Sequence, residues 1–368
     1  MGNERQRILE LVQKGTISVQ EGLNLLEKLE QTPENDERVP ALVSTGEEAS
    51  EDSTTAEEKN FRKANGPLEQ ARSKVLDFVN TAVKKVKDLD LSFQQSVELL
   101  HVFEEASPTI ESIDLDVANG KVELKKWDQP GVRIECHVKV YRTEDEAQAE
   151  ETFRRHAKFS VEKERLTFHT QFKWMKVDTV VYVPAQRYED ISVRLFNGGF
   201  QATHFTADSF SAKTGNGLIT LSNIQANELE AETGNGRIKL VSSKVTDLQL
   251  ETINGKVEAE GEFASAALQS VNGNVTAFLK STPDTLKVKA VTGSIEVFLP
   301  ETAAINGELK SNVGSFKVDV EGIEVIEEQN DVVQKKMTFK KSLEGVNPVH
   351  LYGSTNTGSV QIKTVPHL

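Results

Sequence analysis

Two glutamates, Glu232 and Glu251, occupy equivalent places in neighbouring repeats of a strand-rich segment. A carboxylate pair on adjacent strands is the arrangement that general acid–base cleavage of a glycoside uses. They belong to an outward column that runs Lys213, Glu232, Glu251, Gln269, Lys289, Lys310; a second column runs Thr220, Lys239, Glu258, Thr276, Glu296, Lys317. The mixed signs also place Lys239 beside Glu258 and Glu296 near Lys317, as ordinary cross-strand pairing on a solvated face would. The Thr-Gly-Asn-Gly turns at 214–217 and 233–236 only superficially suggest phosphate loops. A phosphate site needs converging N–H groups at a helix N-terminus, and strand patterns flank both turns.

Other reactive residues do not gather. His101, His137, His156, His169, His204, His350 and His367 are scattered, without an HExxH motif or a stacked column. Cys136 is the single cysteine, with no partner for a disulfide and no metal-ligand companion. No G-x-S-x-G nucleophile motif occurs, and no Asp recurs as calcium-binding nonapeptide repeats require. Trp127 and Trp174 read as core or cap residues in preference to a sugar platform. The sequence predicts a protein that is not an enzyme, with no catalytic residue, cofactor or metal.

The elements that would position these side chains are set by a recurring turn. Gly217, Gly236, Gly255, Gly273, Gly293 and Gly314 follow one another at intervals of 19, 19, 18, 20 and 21 residues. Two residues after each stand Ile219, Ile238, Val257, Val275, Ile295 and Phe316; five before stand Ala212, Ala231, Leu250, Leu268, Val288 and Leu309. Apolar and polar residues alternate on both sides of the turn, the signature of half-buried strands. One such unit cannot bury its apolar face alone, so the repeats must stack. The predicted fold is mainly β: a parallel β-helix or β-solenoid with coils of about 19 residues, plus an N-terminal helical hairpin. A β-sandwich with hairpin Asn-Gly turns is the competing arrangement, and the near-constant spacing favours the solenoid. Thr214, Thr233, Thr252 and Ser270 suit a tight inner corner, and Asn216, Asn235, Asn254 and Asn272 could form a stacked ladder. Asn119-Gly120, Asn197-Gly198-Gly199 and Thr357-Gly358 read as further coils.

Outside the repeats the chain divides into smaller pieces. Residues 1–31 read as a helical hairpin, with Ile8, Leu11 and Val12 on the first helix and Leu23, Leu26 and Leu29 on the second. So small a pair must dock or self-associate. Residues 32–66 read as a disordered acidic linker, with nine acidic and two basic residues between positions 32 and 60. Residues 67–91 read as an amphipathic helix whose apolar side includes Val75, Phe78, Val79, Val83 and Val86, with Lys84 and Lys85 beside it. Such a helix can cap the solenoid, seat in a partner, or lie on an anionic membrane surface. Residues 92–368 are the β-solenoid domain with irregular caps. Within it, strands are expected near 97–103, 110–117, 122–124, 132–140, 166–172 and 177–183, and a helix near 144–156.

The 368 residues carry a net charge of −14, which argues against general nucleic-acid binding. No apolar run approaches the roughly 18 residues needed to span a bilayer, and the opening Met1-Gly2-Asn3-Glu4-Arg5 does not read as a secretion signal. A cytoplasmic protein is expected, peripheral at the inner face of the cell membrane if the 67–91 helix binds lipid.

The Asn-Gly and Thr-Gly turns, with Val181-Tyr-Val-Pro184 leading into Ile191 to Gly199, resemble the β-strand repeat family known as "putative adhesin". The opening Glu4-Arg5-Gln6-Arg7-Ile8-Leu9, then Gly15-Thr16-Ile17-Ser18 and Glu21, resembles the short, SHOCT-like helical hairpin that precedes this domain in YvlB-like proteins of Bacillus-type bacteria. The resemblance implies a cytoplasmic β-solenoid linked to the cell-envelope stress response, and it carries no catalytic residues. The function expected is a non-enzymatic scaffold that binds itself or an envelope-stress membrane protein. A peripheral membrane sensor working through the 67–91 helix and a carbohydrate-active β-helix enzyme are the alternatives.

Overall fold

The computed structural model describes residues 95–331 and 334–365. The expectations for 1–31, 32–66 and 67–91 lie outside the described residues. Within them the protein is mainly β, with the single helix Glu146–His156 and 23 strands joined into one hydrogen-bonded sheet.

The alternating residues form parallel strands in register. Thr206–Asn216 pairs with Gln225–Asn235, matching Ala212 to Ala231 and Asn216 to Asn235, an offset of 19 residues. Gln225–Asn235 pairs in turn with the long strand Ile238–Asn254, and that strand with Val257–Asn272. After each glycine a second set stacks likewise, Ile219–Ser222 on Phe200–Thr203 and Ile238 beside Ile219. The chain thus returns to the same place in the next layer. Ile219, Ile238, Val257, Val275 and Ile295 are fully buried, as are Ala212, Ala231, Leu250 and Val288.

Three interactions hold the turn. A methyl group on Gly217, Gly236, Gly255 or Gly273 would overlap the backbone carbonyl of the preceding glycine in the stack, so backbone approaches backbone where a side chain would stand. The buried hydroxyls of Thr214, Thr233, Thr252 and Ser270 each donate to that same carbonyl column, at 3.0, 3.2, 3.0 and 2.9 Å. Outside, the amide of Asn197 donates to Asn119 at 2.9 Å, Asn216 to Asn197 at 2.8 Å, Asn235 to Asn216 at 2.8 Å, Asn254 to Asn235 at 2.7 Å and Asn272 to Asn254 at 2.8 Å. Thr292 completes the ladder by donating to Asn272 at 2.7 Å.

The spatial order corrects the sequence order at one end. Gly314 does not follow Gly293 in the stack. The final segment, Val349–Thr357 and Val360–Val365, inserts between them: Thr285–Thr292 pairs with Val349–Thr357, which pairs on its other side with Ile305–Val313. Glu296 therefore faces Gln361, with Lys317 beyond it, and Glu296 takes its ion pair from Lys363 at 3.6 Å. The insertion gives the last-made strand a partner on each side, and leaves Phe316–Asp319 at the edge.

Both ends break the period. At the N-terminal end, Ser96–Glu105, Val132–Tyr141 and Met175–Pro184 pair antiparallel, and the hairpin Ala157–Glu162/Arg165–Thr170 lies beside Ser112–Asn119. The helix starts where the Asp145 carboxylate accepts the Ala147 N–H at 2.8 Å, and it sends the buried Phe153 onto Phe103, which stacks on Phe159 at 5.2 Å. At the other end the hairpin Glu324–Asn330/Lys335–Lys341 buries Phe339 against Gly307. The sequence pattern missed Ala157–Glu162 and this second hairpin, which lack the glycine turn.

Gly236→Ala is expected to cost about 3 kcal/mol or more, because backbone must move to admit the methyl. Gly322→Ala meets nothing within 4 Å and pays only for its left-handed φ of 76°, roughly 1 kcal/mol. Urea denaturation of both variants measures the gap, and equal losses would contradict the close-approach account. Asn235→Ala, which breaks the ladder on both sides, should cost about 1 kcal/mol in the same experiment.

Candidate functional site

The stack brings Glu232 and Glu251 to facing positions on paired strands, as their column predicts. The ammonium of Lys213, one layer away, lies 2.8 Å from Glu230 and 3.3 Å from Glu232. Glu232 is 7% exposed although its side chain leaves the outer face. Burial pushes its carboxyl up to about 7, the hydrogen bond that its protonated form donates to Glu230 adds to the rise, and Lys213 opposes it. For Lys213, burial works against the charge, but the hydrogen bond to Glu230 and the charge of Glu232 outweigh it and hold the ammonium above its ordinary value. The arrangement can hold a proton near neutrality. It sets two carboxylates against one ammonium on a sheet face.

A groove of about 460 Å³ runs across the layers at the corner opposite the glycines. Arg187, Thr206, Gln225, Lys244, Glu262 and Thr282 line it, one from each layer, all eleven residues before a turn glycine. Their charges are paired: Arg187 with Asp208, which also accepts from Asn227 at 2.9 Å, and Lys244 with Glu262 at 3.1 Å. The repeat itself carries this column, but reading from five before to four after the glycine stops short of it.

The other candidates are structural. The pairing of Ser112–Asn119 with Arg165–Thr170 places His169 3.0 Å from Asp114, whose other oxygen meets Arg194 at 3.2 Å. His101 stacks edge-on against Phe153, and His156 lies flat on Phe172. Among the described residues no three His, Cys, Asp or Glu side chains converge as a metal site. Cys136 is buried, and burial pushes its thiol up to about 12 against a hydrogen bond with Thr179, which leaves it protonated and unreactive. Trp127 donates to the Gly131 carbonyl at 2.8 Å, and Arg142 lies over the Trp174 ring at 3.2 Å, both in the N-terminal cap.

The region from 110 to 351, which holds the glycine-turn layers, matches the family model described as Toastrack DUF4097. The chain belongs to the toastrack family. Residues 3–34 match a SHOCT-like domain, the module that the opening residues resemble. Across 367 residues the chain is 40% identical to the uncharacterized protein YvlB of Bacillus subtilis (strain 168), covering 99% of each. Solved structures similar to this toastrack protein include adhesin-like proteins from Bacteroides fragilis, 13% identical with a TM-score of 0.33, and Parabacteroides distasonis, 9% identical with a TM-score of 0.36. The first covers 73% of this chain and 97% of its own, the second 72% and 97%.

A raised carboxyl binds more protons in the folded than in the unfolded state, so Glu232 lowers stability as pH climbs from its ordinary 4.5 to about 7. Across that window the wild type should lose about 3 kcal/mol relative to Glu232→Gln. Urea midpoints of both proteins from acid to neutral pH test this; parallel curves would remove Glu232 from the buried cluster.

Proposed function

We propose that this toastrack protein is a non-enzymatic scaffold: a β-solenoid of coils near 19 residues that carries the SHOCT-like helical module on a tether. The observation that supports it is the outer surface. Across successive layers many of its ionisable groups meet an opposite charge, as in Lys244 with Glu262 at 3.1 Å, Lys256 with Glu258 at 2.6 Å and Lys280 with Glu260 at 2.9 Å. A regular surface with compensated charges serves better as a rigid spacer than as a reaction centre, whose groups need unbalanced charge to shift protons.

The 1–31 module would make the contact, to a second copy or to a membrane protein of the envelope stress response, as the family resemblance implies. Tethering raises the effective concentration of a second contact once the first is made. No helix among the described residues is long and apolar enough to cross a membrane. A cytoplasmic site of action is part of this reading, with the 67–91 helix as the route to an anionic bilayer in its membrane-sensing variant.

Deleting residues 1–31 should abolish capture of partner while leaving the melting temperature of the β domain unchanged. Pull-down and calorimetry on the two proteins measure this, and undiminished capture would sink the scaffold reading. Flotation with anionic vesicles, lost on Val75→Asp with Val79→Asp, would move the contact to the lipid surface instead. Glycan cleavage lost on Glu232→Gln would replace the scaffold with an enzyme.

A further inference from the structure

Four strands form the edges of the stack among the described residues, each pairing with a single neighbour. Exposed edges invite pairing with another chain, and proteins blunt them by shortness, charge or bulges. Phe316–Asp319 has four residues. Glu324–Asn330 is acidic and carries a register shift between Val325 and Glu327. Ala157–Glu162 has six residues, with Lys158 within it and Lys163 just beyond its end. Ser96–Glu105 has none of these protections at its centre.

That strand runs ten residues, paired without interruption to Val132–Tyr141 on one side. On its outer face Leu100 is 73% and Val102 44% exposed. On its inner face Val97, Leu99 and Phe103 are only partly buried, with His101 and Phe103 against Phe153 of the helix. The order Glu98-Leu99-Leu100-His101-Val102-Phe103-Glu104 reads nearly the same in both directions about His101. Such a pattern is what a two-fold edge contact requires, since each residue must suit its own mirror position.

We infer that Ser96–Glu105 pairs antiparallel with the same strand of a second copy, about a two-fold axis at His101. Leu100 then faces Val102 of the other copy, and Leu99 faces Phe103, which closes one apolar patch outside and extends the core inside. Glu98 meets Glu104, and each is already neutralised within its own chain, Glu98 by Lys139 at 2.8 Å and Glu104 by Arg133 at 3.1 Å. His101 meets its counterpart on the axis. This contact is independent of the 1–31 module, so either association can fail without the other.

The test uses full-length protein. Sedimentation should give a dimer for the wild type and a monomer for Leu100→Lys, whose exposed position leaves the melting temperature unchanged. Leu100→Cys mixed with Val102→Cys should form a disulfide-linked pair under mild oxidation. Either variant alone should link far less, because identical positions sit on the diagonal, about 7–8 Å apart. A monomeric wild type, or a dimer that survives Leu100→Lys and shows no preference for the mixed cross-link, overturns the proposal. The second result would place the dimer contact elsewhere in the chain.

Discussion

The close passage of one glycine over the carbonyl of another governs this structure. Parallel strands stack at about 4.8 Å, and at a sharp corner that spacing leaves no room for a Cβ directed at the neighbouring layer. Gly217, Gly236, Gly255 and Gly273 satisfy it in succession. Once backbone sits on backbone, the carbonyl column is shielded from water and needs donors, which the inner Thr and Ser hydroxyls supply. The outer Asn amides, each donor and acceptor at once, then lock the register. A shift of one residue would break all three columns and turn the apolar faces outward.

A stack built this way has no natural end. Each layer presents the same unsatisfied edge, so termination has to come from segments that do not repeat. The N-terminal end is closed by antiparallel strands and the aromatic group Phe103, Phe153, Phe159 and Phe168. The other end is closed by a hairpin whose Phe339 fills the space above Gly307. Between them the outer face is a lattice of short ion pairs.

Much of the layer was legible from the residues, because period two within a strand and period 19 between turns are both geometric. The facing of Glu232 and Glu251, and of Lys239 and Glu258, followed from column arithmetic alone. The groove column from Arg187 to Glu262 obeys the same arithmetic, yet its residue types vary from Arg to Thr to Glu, so nothing in composition drew attention to it. The upward shift of the Glu232 carboxyl was not legible at all. It depends on how deeply Lys213 and Glu230 enclose the carboxyl, which is a matter of packing.

The sequence by itself determined the repeating layer: which residues turn, which face inward, and which of the turn residues can bond to their equivalents. Local sterics and alternation decide these, and both are written along the chain. The tertiary structure alone decided the order of the layers at the C-terminal end. The coil ending at Thr357-Gly358 carries the same motif as its neighbours, so its local pattern fits any slot in the stack. In its slot the six-residue Val360–Val365 has a partner on each side and the four-residue Phe316–Asp319 is left at the edge, an outcome of pairing between distant segments that no local pattern records.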